Sequence, residues 1–291
     1  MQVSLPQMVI DGPLTRTAHW EAIAFHPGDV IVATVPKSGT TWTQALVSAM
    51  LSATPGAGYT FDGLSPWADC SLREVAPLAE KLATVPGRRC LKSHAPLEAL
   101  PWSDELFYVA CYRHPLDAHF SMRTHVARMA EHMDLKARFP LDDPAATFEH
   151  FLEEDAPENG TDNMTLASIA RHFESVRARL DQPNVVLLHY ADLKRDPLGE
   201  ARRLAGALGV ALSDEMLSAI VDGAGFEKMR ERARANPGET FTATPDFFAE
   251  GTSNKWAGHL SDAQLAAYAA KADALMSPQT RAWLENGGTR A

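Results

Sequence analysis

A short apolar run that leads into a loop of small and hydroxyl residues limits the possible folds more than any other feature. Residues 29–35 read DVIVATV, and residues 36–42 continue as PKSGTTW. A short run that is apolar throughout is typical of a strand covered on both faces, as in a parallel sheet. Residues 41–53 then follow the helical period and stop at Pro55-Gly56. We therefore expect a strand, a tight turn and a helix here.

The same alternation continues along the chain, where further short apolar runs are separated by helical patterns. Strands that alternate with helices predict an α/β fold with a central parallel β-sheet flanked by helices. The further predicted strands are residues 89–93, 106–112 and 185–190. The further predicted helices are residues 117–133, 164–180, 198–208 and a final helix that opens with the capping box at residues 261–264.

The apolar pattern resumes after each predicted loop, which indicates a single domain. Loops are expected at residues 138–144 and 155–163, on either side of a short helix, and at residues 235–254. None of these loops shows the shift in composition that marks a domain linker. We therefore predict one domain over residues 1–291, a length that can bury a sizeable core, with the core at about residues 28–287.

Charge and cysteine content exclude several classes of function. A net charge of −10 argues against general binding to nucleic acid or anionic membranes, which needs a basic surface. The N-terminus shows no secretory signal, and the longest apolar run is too short to span a membrane. Three cysteines without a paired spacing suggest a reducing compartment. We expect a cytoplasmic protein with no membrane insertion and no nucleic-acid partner.

The loop PKSGTTW has the composition of an anion site at a helix start. Backbone N–H groups and the helix dipole favour an anion there, and Gly39 lets the backbone approach it. Ser38, Thr40 and Thr41 add hydroxyl donors, and Lys37 adds a positive charge. In the common phosphate loop the lysine follows the glycines, whereas here Lys37 precedes Gly39. A plain turn capped by hydroxyl groups is the alternative interpretation.

The segment VPKSGTTW resembles the 5′-phosphosulfate-binding loop of the cytosolic sulfotransferase family, whose members use 3′-phosphoadenosine 5′-phosphosulfate (PAPS) as sulfuryl donor. Further segments resemble family motifs in the same order, namely CLKSHAPLEALP, YVACYRHPLDAHFS, HYADLKRDP and FEKMRERARANP. The resemblance extends from residue 28 to about residue 261. It implies the P-loop-kinase-like sulfotransferase fold and a bacterial, PAPS-dependent enzyme of the cytosolic type.

The matched segments carry residues for which the resemblance implies a role. His94 falls on the catalytic base of the family, and Lys92 and Lys37 fall on residues beside the transferring group. Arg113 and Ser121 fall on residues that hold the 3′-phosphate. The other implied contacts with the nucleotide come from Ser38, Gly39, Thr40, Thr41, Trp42, Tyr190, Phe226 and Gly251, of which Trp42, Tyr190 and Phe226 surround the adenine.

The resemblance fails in the segment FFAEGTSNKW. Gly251 matches the family, but Ala249 and Glu250 stand where the family has an Arg-Lys pair that contacts the 3′-phosphate. One wall of that site is therefore missing or rebuilt. The sequence leaves open whether Lys255 or Arg230 supplies the charge.

The dimerisation pattern of the family is missing as well. Its positions hold Ala257, Ser261, Asp262 and Ala266. We therefore expect a monomer or a dimer of another kind.

Sulfuryl transfer is an in-line displacement that requires positioning, stabilisation of the leaving phosphate and a base. The pKa of a histidine near neutrality suits His94 for the role of base, and Lys37 and Lys92 can follow the shifting charge. The expected reaction moves the sulfuryl group from PAPS to a small-molecule alcohol, phenol or amine. No metal is expected, and the histidines at positions 114, 119 and 125 are interpreted as surface or acceptor-side residues.

Two other functions stay open. A P-loop nucleotide or nucleoside kinase predicts a lysine after the glycines and a Mg²⁺-binding aspartate at a strand end, and neither is evident. A catalytically silent PAPS-binding module is supported only by Ala249 and Glu250. The acceptor pocket is expected from residues 61–67, 138–163 and 236–250, which are the least motif-like parts of the chain.

Overall fold

The computed structural model describes residues 1–53, 65–127, 143–153, 164–235 and 251–288. Its strands are β1 (Val30–Ala33), β2 (Cys90–Ser93), β3 (Phe107–Tyr112) and β4 (Val185–His189). They form one sheet in the order β2-β1-β3-β4, and every pairing is parallel. Nearly all strand residues are buried, as expected for strands covered on both faces. The predicted α/β fold with a central parallel sheet is confirmed.

The strand order places a switch point beside β1. The chain passes from β1 to β2 on one side and later returns to β3 on the other side of β1. In open α/β sheets, ligands bind in the crevice at the carboxyl ends of the strands where the order reverses. The residues that follow β1, β2 and β3 therefore share the edge where a ligand is expected.

Helices and short turns connect the strands. Two 3₁₀ helices cover Thr17–Ala22 and Leu97–Ala99. The α-helices of the described ranges are α1 (Thr40–Ser52), α2 (Ala76–Ala83), α3 (Pro115–Ala127), α4 (Pro144–Glu153), α5 (Leu166–Arg177), α6 (Tyr190–Arg195), α7 (Pro197–Ala207), α8 (Asp214–Gly223), α9 (Phe226–Ala235), α10 (Asp262–Leu275) and α11 (Pro278–Asn286).

The side chains of β1 alternate between two hydrophobic cores. Val30 and Val32 face the core formed with α1, α6, α7 and α8. Ile31 and Ala33 face the core formed with α3, α4, α5, α10 and α11. Both faces of the sheet are therefore covered by helices, which leaves the strand ends as the place where polar side chains can gather.

Local hydrogen bonds set several of the helix and strand boundaries. Ser261 and Gln264 form the predicted capping box of α10, and Asp196 caps α7 by accepting from the Gly199 N–H. The predicted strand to residue 190 is one residue too long, because His189 accepts from the Ala191 N–H and starts α6 at Tyr190. Residues 128–133 of the predicted helix lie outside the described residues.

A buried ion pair joins the amino ends of β1 and β2. The Arg89 guanidinium lies 2.5 Å from the Asp29 carboxylate, and both side chains are at most 1% exposed. The Asp29 carboxylate also accepts from the Arg89 backbone N–H at 2.8 Å. Such pairs cost desolvation, so their value lies in fixing one arrangement of the two strands.

The three cysteines form no disulfide and are buried. Free cysteines commonly pack in this way, as small hydrophobic residues. No helix of the described ranges is long and apolar enough to cross a membrane.

Candidate active site

The turn after β1 is tight and packs against neighbouring elements. Lys37 and Gly39 both adopt left-handed backbone conformations, with φ of 64° and 105°. A Cβ on Gly39 would lie 3.1 Å from the Tyr190 ring and 3.2 Å from Cys111 Sγ, so only glycine fits. The hydroxyl groups of Thr34 and Thr40 meet at 2.6 Å and close the turn.

The start of α1 offers hydrogen-bond donors to a ligand. No side chain caps the helix at Gly39. Ser38 is fully buried, and its hydroxyl has no hydrogen-bond partner among the described residues. A buried hydroxyl without a partner is unfavourable. The donors at the start of α1 are therefore satisfied only when a ligand that accepts hydrogen bonds is present there.

His94 follows β2 and points back to the turn after β1. Its Nδ1 lies 2.6 Å from the Thr34 carbonyl oxygen. Because a carbonyl oxygen can only accept, Nδ1 carries the proton, and Nε2 of the neutral ring keeps its lone pair. Burial, followed by the Lys92 charge, lowers the pKa of His94 well below its ordinary value. The expectation of a pKa near neutrality is therefore wrong for the free enzyme.

Lys92 lies on β2 beside the same histidine. Its ammonium group lies 4.4 Å from the centre of the Trp67 ring, and burial lowers its pKa to about 8. The Trp67 ring also meets His94 edge-on at 4.9 Å. Backbone bonds from the Lys92 N–H to Pro66 and from the Ala68 N–H to Lys92 hold this tryptophan beside the strand.

The Lys37 and Lys92 charges both act on His94 and on His125 of α3. Burial, then these charges, lower the pKa of His125 to about 3. The structure thus gathers Lys37, Lys92 and His94 at one edge of the sheet, as the resemblance implies. His125 joins them on the side of α3, which agrees with an acceptor-side residue.

His119 is not a surface residue, which is one of the two interpretations given for the histidines at positions 114, 119 and 125. It is buried and packs against Phe151 at 4.5 Å between ring centres, so it belongs to the core. Among the described residues, no group of histidines, cysteines and carboxylates could hold a metal ion.

Arg113 follows β3 and lies at the end of the site where the nucleotide is expected. Its guanidinium covers the Tyr190 ring at 4.7 Å and donates to the Thr252 carbonyl at 2.6 Å. Its Nε is buried and has no partner among the described residues. Tyr190 in turn meets Trp42 edge-on at 5.6 Å. The residues expected at the nucleotide end therefore form one cluster.

Gly251 joins this cluster from the far end of the chain. Its carbonyl oxygen accepts from the Tyr190 hydroxyl at 3.2 Å. A Cβ at this left-handed glycine would lie 2.9 Å from the Phe226 ring, so the ring packs directly on the backbone. Ser121 lies on α3, half-buried, two helical turns beyond the end of β3.

Part of the expected site falls outside the described ranges. Ala249, Glu250 and most residues expected around the acceptor lie outside the described residues, namely 61–64, 138–142, 154–163 and 236–250. Arg230 forms an ion pair with Glu227 and lies 5.9 Å from the Phe226 ring.

Two residues of the site were missed by sequence reasoning. Trp67 appeared only as the end of a possible acceptor segment, although an aromatic residue after Pro66 is a weak sign of a packed edge. Asp117 had a clearer sign, since it opens the predicted helix only four residues after Arg113, where an opposite charge can reach the arginine.

The buried donors of the site fit a ligand with phosphate groups. Ser38 Oγ, Trp42 Nε1 and Arg113 Nε all lack partners among the described residues. Arginine and hydroxyl donors suit phosphate oxygens. The loop at α1 and the arginine after β3 can thus hold two anionic groups of one ligand.

Comparison with known proteins gives a family match. The family model described as a sulfotransferase domain matches residues 27–278. A glycolipid sulfotransferase of Mycobacterium bovis is 30% identical over 297 residues, covering 92% of this chain and 91% of the relative. Sulfotransferase 1B1 of the dog, Canis lupus familiaris, is 27% identical over 269 residues, covering 86% of this chain and 85% of that protein.

Two solved structures share the fold at low sequence identity. A mouse sulfotransferase complexed with 3′-phosphoadenosine 5′-phosphate (PAP) has a TM-score of 0.70 at 20% identity, with 92% of each chain covered. A retinol dehydratase in complex with retinol and PAP has a TM-score of 0.61 at 21% identity, covering 90% of this chain and 85% of the other.

Proposed function

This chain belongs to the sulfotransferase family and is an enzyme of PAPS-dependent sulfuryl transfer, and we propose that His94 is its general base. The observation that carries the proposal is the 2.6 Å contact between His94 Nδ1 and the Thr34 carbonyl oxygen. This contact fixes the tautomer that leaves Nε2 as a proton acceptor. It also ties the imidazole to the anion-binding turn on the neighbouring strand.

Each residue of the site has one task in this scheme. PAPS supplies the activated sulfuryl group when it is bound. His94 Nε2 takes the proton of the acceptor oxygen while that oxygen bonds to sulfur and the bond from sulfur to the 5′-phosphate oxygen breaks. Lys37 and Lys92 stabilise the negative charge that builds on the leaving phosphate. Because an anion favours the protonated ring, a bound donor raises the low pKa of His94 toward the working range.

The residues of the turn after β1 and the cluster around Arg113 and Tyr190 are assigned to the parts of the sulfuryl donor. Ser38, Gly39, Thr40 and Thr41 would hold the 5′-phosphosulfate at the start of α1. Arg113, with Ser121 on the following helix, would hold the 3′-phosphate. The rings of Trp42, Tyr190 and Phe226 would enclose the adenine, with Gly251 beside them. The unpaired Ser38 hydroxyl and Arg113 Nε support this division.

The acceptor is a small molecule that presents a hydroxyl group or an amine. The mycobacterial relatives named glycolipid sulfotransferases, at 30% identity, favour a hydroxyl acceptor. The single-domain organisation, the cytoplasmic location and the monomer or unusual dimer stay predictions.

The test removes the base and asks separately for binding and turnover. His94→Ala should reduce kcat by about 100-fold to 10,000-fold, as for other general bases, while PAP binding measured by calorimetry stays within a few-fold of wild type. His26→Ala is the matched control, because His26 lies at the amino end of β1, away from the site, with a contact to the Gly87 carbonyl. Full activity of His94→Ala would show that another group takes the proton.

The same assays separate the two other functions. PAP binding without sulfuryl transfer to any alcohol, phenol or amine by the wild type would favour a silent binding module. Phosphorylation that depends on ATP and Mg²⁺ would favour a kinase.

A further inference from the structure

The turn from Gly251 to Trp256 is held in place by side chains from other parts of the chain. Arg113 donates to the Thr252 carbonyl at 2.6 Å, and Tyr190 donates to the Gly251 carbonyl at 3.2 Å. These contacts join the turn to β3 and α6. The turn directly follows Ala249 and Glu250, the positions where the family pattern is broken.

Asp117 of α3 makes two further polar contacts to this turn. Its Oδ2 accepts from the Asn254 N–H at 3.0 Å, and its Oδ1 accepts from the Lys255 N–H at 2.9 Å. Asn254 has a φ of 60°, an unusual conformation for a residue other than glycine. The Asp117 side chain is 3% exposed, so both bonds lie away from water. A buried carboxylate that accepts two N–H groups fixes the position of those groups strongly.

The same carboxylate sets the direction of Arg113. Asp117 Oδ2 lies 3.6 Å from Arg113 Nη2, the nitrogen that donates to Thr252. Asp117 and the turn therefore both engage Nη2 of the guanidinium. The neighbouring Nε is buried and has no partner among the described residues. Asp117 thus holds Arg113 in one orientation, in which its Nε is left to donate to whatever binds there.

We propose that Asp117 is a positioning residue for the 3′-phosphate of the donor, because it fixes both Arg113 and the turn from Gly251 to Trp256. This inference rests on the proposed function. Asp117 does not touch the phosphate, since a carboxylate repels it. It acts by holding the phosphate-binding arginine and the turn behind it in one arrangement, in a chain that has Ala249 and Glu250 in place of the Arg-Lys pair.

Positioning and simple electrostatics predict opposite results when the Asp117 charge is removed. By Coulomb's law alone, Asp117→Asn removes a negative charge beside an anion site and should strengthen PAP binding. If Asp117 positions Arg113 and the turn, the same change should weaken PAP binding, because an amide nitrogen cannot accept from a backbone N–H. The sign of the change therefore decides between the two.

The experiment compares PAP with adenosine 5′-monophosphate, which lacks the 3′-phosphate, by calorimetry on the full chain. Asp117→Asn should weaken PAP binding by about tenfold or more and leave the monophosphate within a few-fold of wild type. Glu227→Gln is the matched control, since it removes the charge of an exposed carboxylate near the adenine side that pairs with Arg230, and it should not weaken PAP binding. Unchanged or tighter binding of PAP by Asp117→Asn overturns the inference.

A second measurement does not depend on the folding of a variant. In the wild type, PAP should slow amide hydrogen exchange in the peptide that covers residues 251–256, and the monophosphate should slow it much less. Equal exchange with the two nucleotides overturns the inference. If the wild type does not prefer PAP over the monophosphate at all, the proposed function fails instead, which keeps the two failures distinct.

Discussion

Raising the pH above the pKa of Lys92 should lower kcat/KM for PAPS. Lys92 is half-buried with its ammonium group 4.4 Å from the centre of the Trp67 ring, and burial lowers its pKa from 10.5 to about 8. A neutral lysine cannot stabilise the leaving phosphate. The value of kcat/KM for PAPS should therefore fall about tenfold per pH unit above pH 8, whereas an ordinary lysine keeps its charge to about pH 10.

The assay is kcat/KM for PAPS against pH, with an aliphatic alcohol as acceptor so that the acceptor itself does not titrate. Lys92→Arg keeps the charge throughout, so the decline at alkaline pH should disappear from the range below about pH 10. Its plateau should be lower, because a planar guanidinium does not reproduce a compact ammonium group. Lys81→Arg, on α2, is the control and should leave the profile unchanged.

Two results would refute the reasoning. One is a wild-type profile that stays flat to about pH 10, and the other is a decline near pH 8 that persists in Lys92→Arg. The buried thiols do not confuse the assignment, because burial raises the pKa of Cys90 to about 11 and that of Cys111 to about 12.

Two further predictions concern stability and the turn after β1. Burial raises the pKa of Asp69 from 3.8 to about 7; between these values the folded protein holds a proton that the unfolded chain releases, so stability should fall as pH rises. The loss should be roughly 4 kcal/mol relative to Asp69→Asn in denaturant unfolding, and parallel pH profiles of the two would contradict it. Gly39→Ala should weaken PAP binding and destabilise the protein by roughly 1–3 kcal/mol, since its Cβ would crowd Tyr190. Gly87→Ala, with similar strain but open space, is the control, and equal effects on PAP binding would argue against crowding.

Buried strands were the part of the fold that the sequence predicted best. Residues 106–112 and most of residues 185–190 are apolar because helices cover both faces of the sheet, and this signal does not depend on distant contacts. The helices at Ala76–Ala83 and Asp214–Gly223 were missed. They are short, with eight and ten residues, and their stability comes from packing that a local pattern does not record.

The sequence likewise predicted the parts of the site that follow from strand order and not those that depend on distant contacts or burial. Lys37, Lys92, His94 and Arg113 stand at strand ends, so the sequence order alone brought them to one edge. The Asp117 contacts with Asn254 and Lys255 span more than a hundred residues of chain. The low pKa of His94 depends on burial, which the sequence did not reveal.

The ion pair between Asp29 and Arg89 helps to fix the register of β1 against β2, and this register positions His94 at the other end of the two strands. Because β1 and β2 are only four residues long, few other contacts fix their register. A slip of one residue would turn each side chain of β2 to the opposite face and carry His94 away from the Thr34 carbonyl. A substitution at this pair should therefore reduce catalysis, although by strand geometry Arg89 lies about 17 Å along the chain from His94.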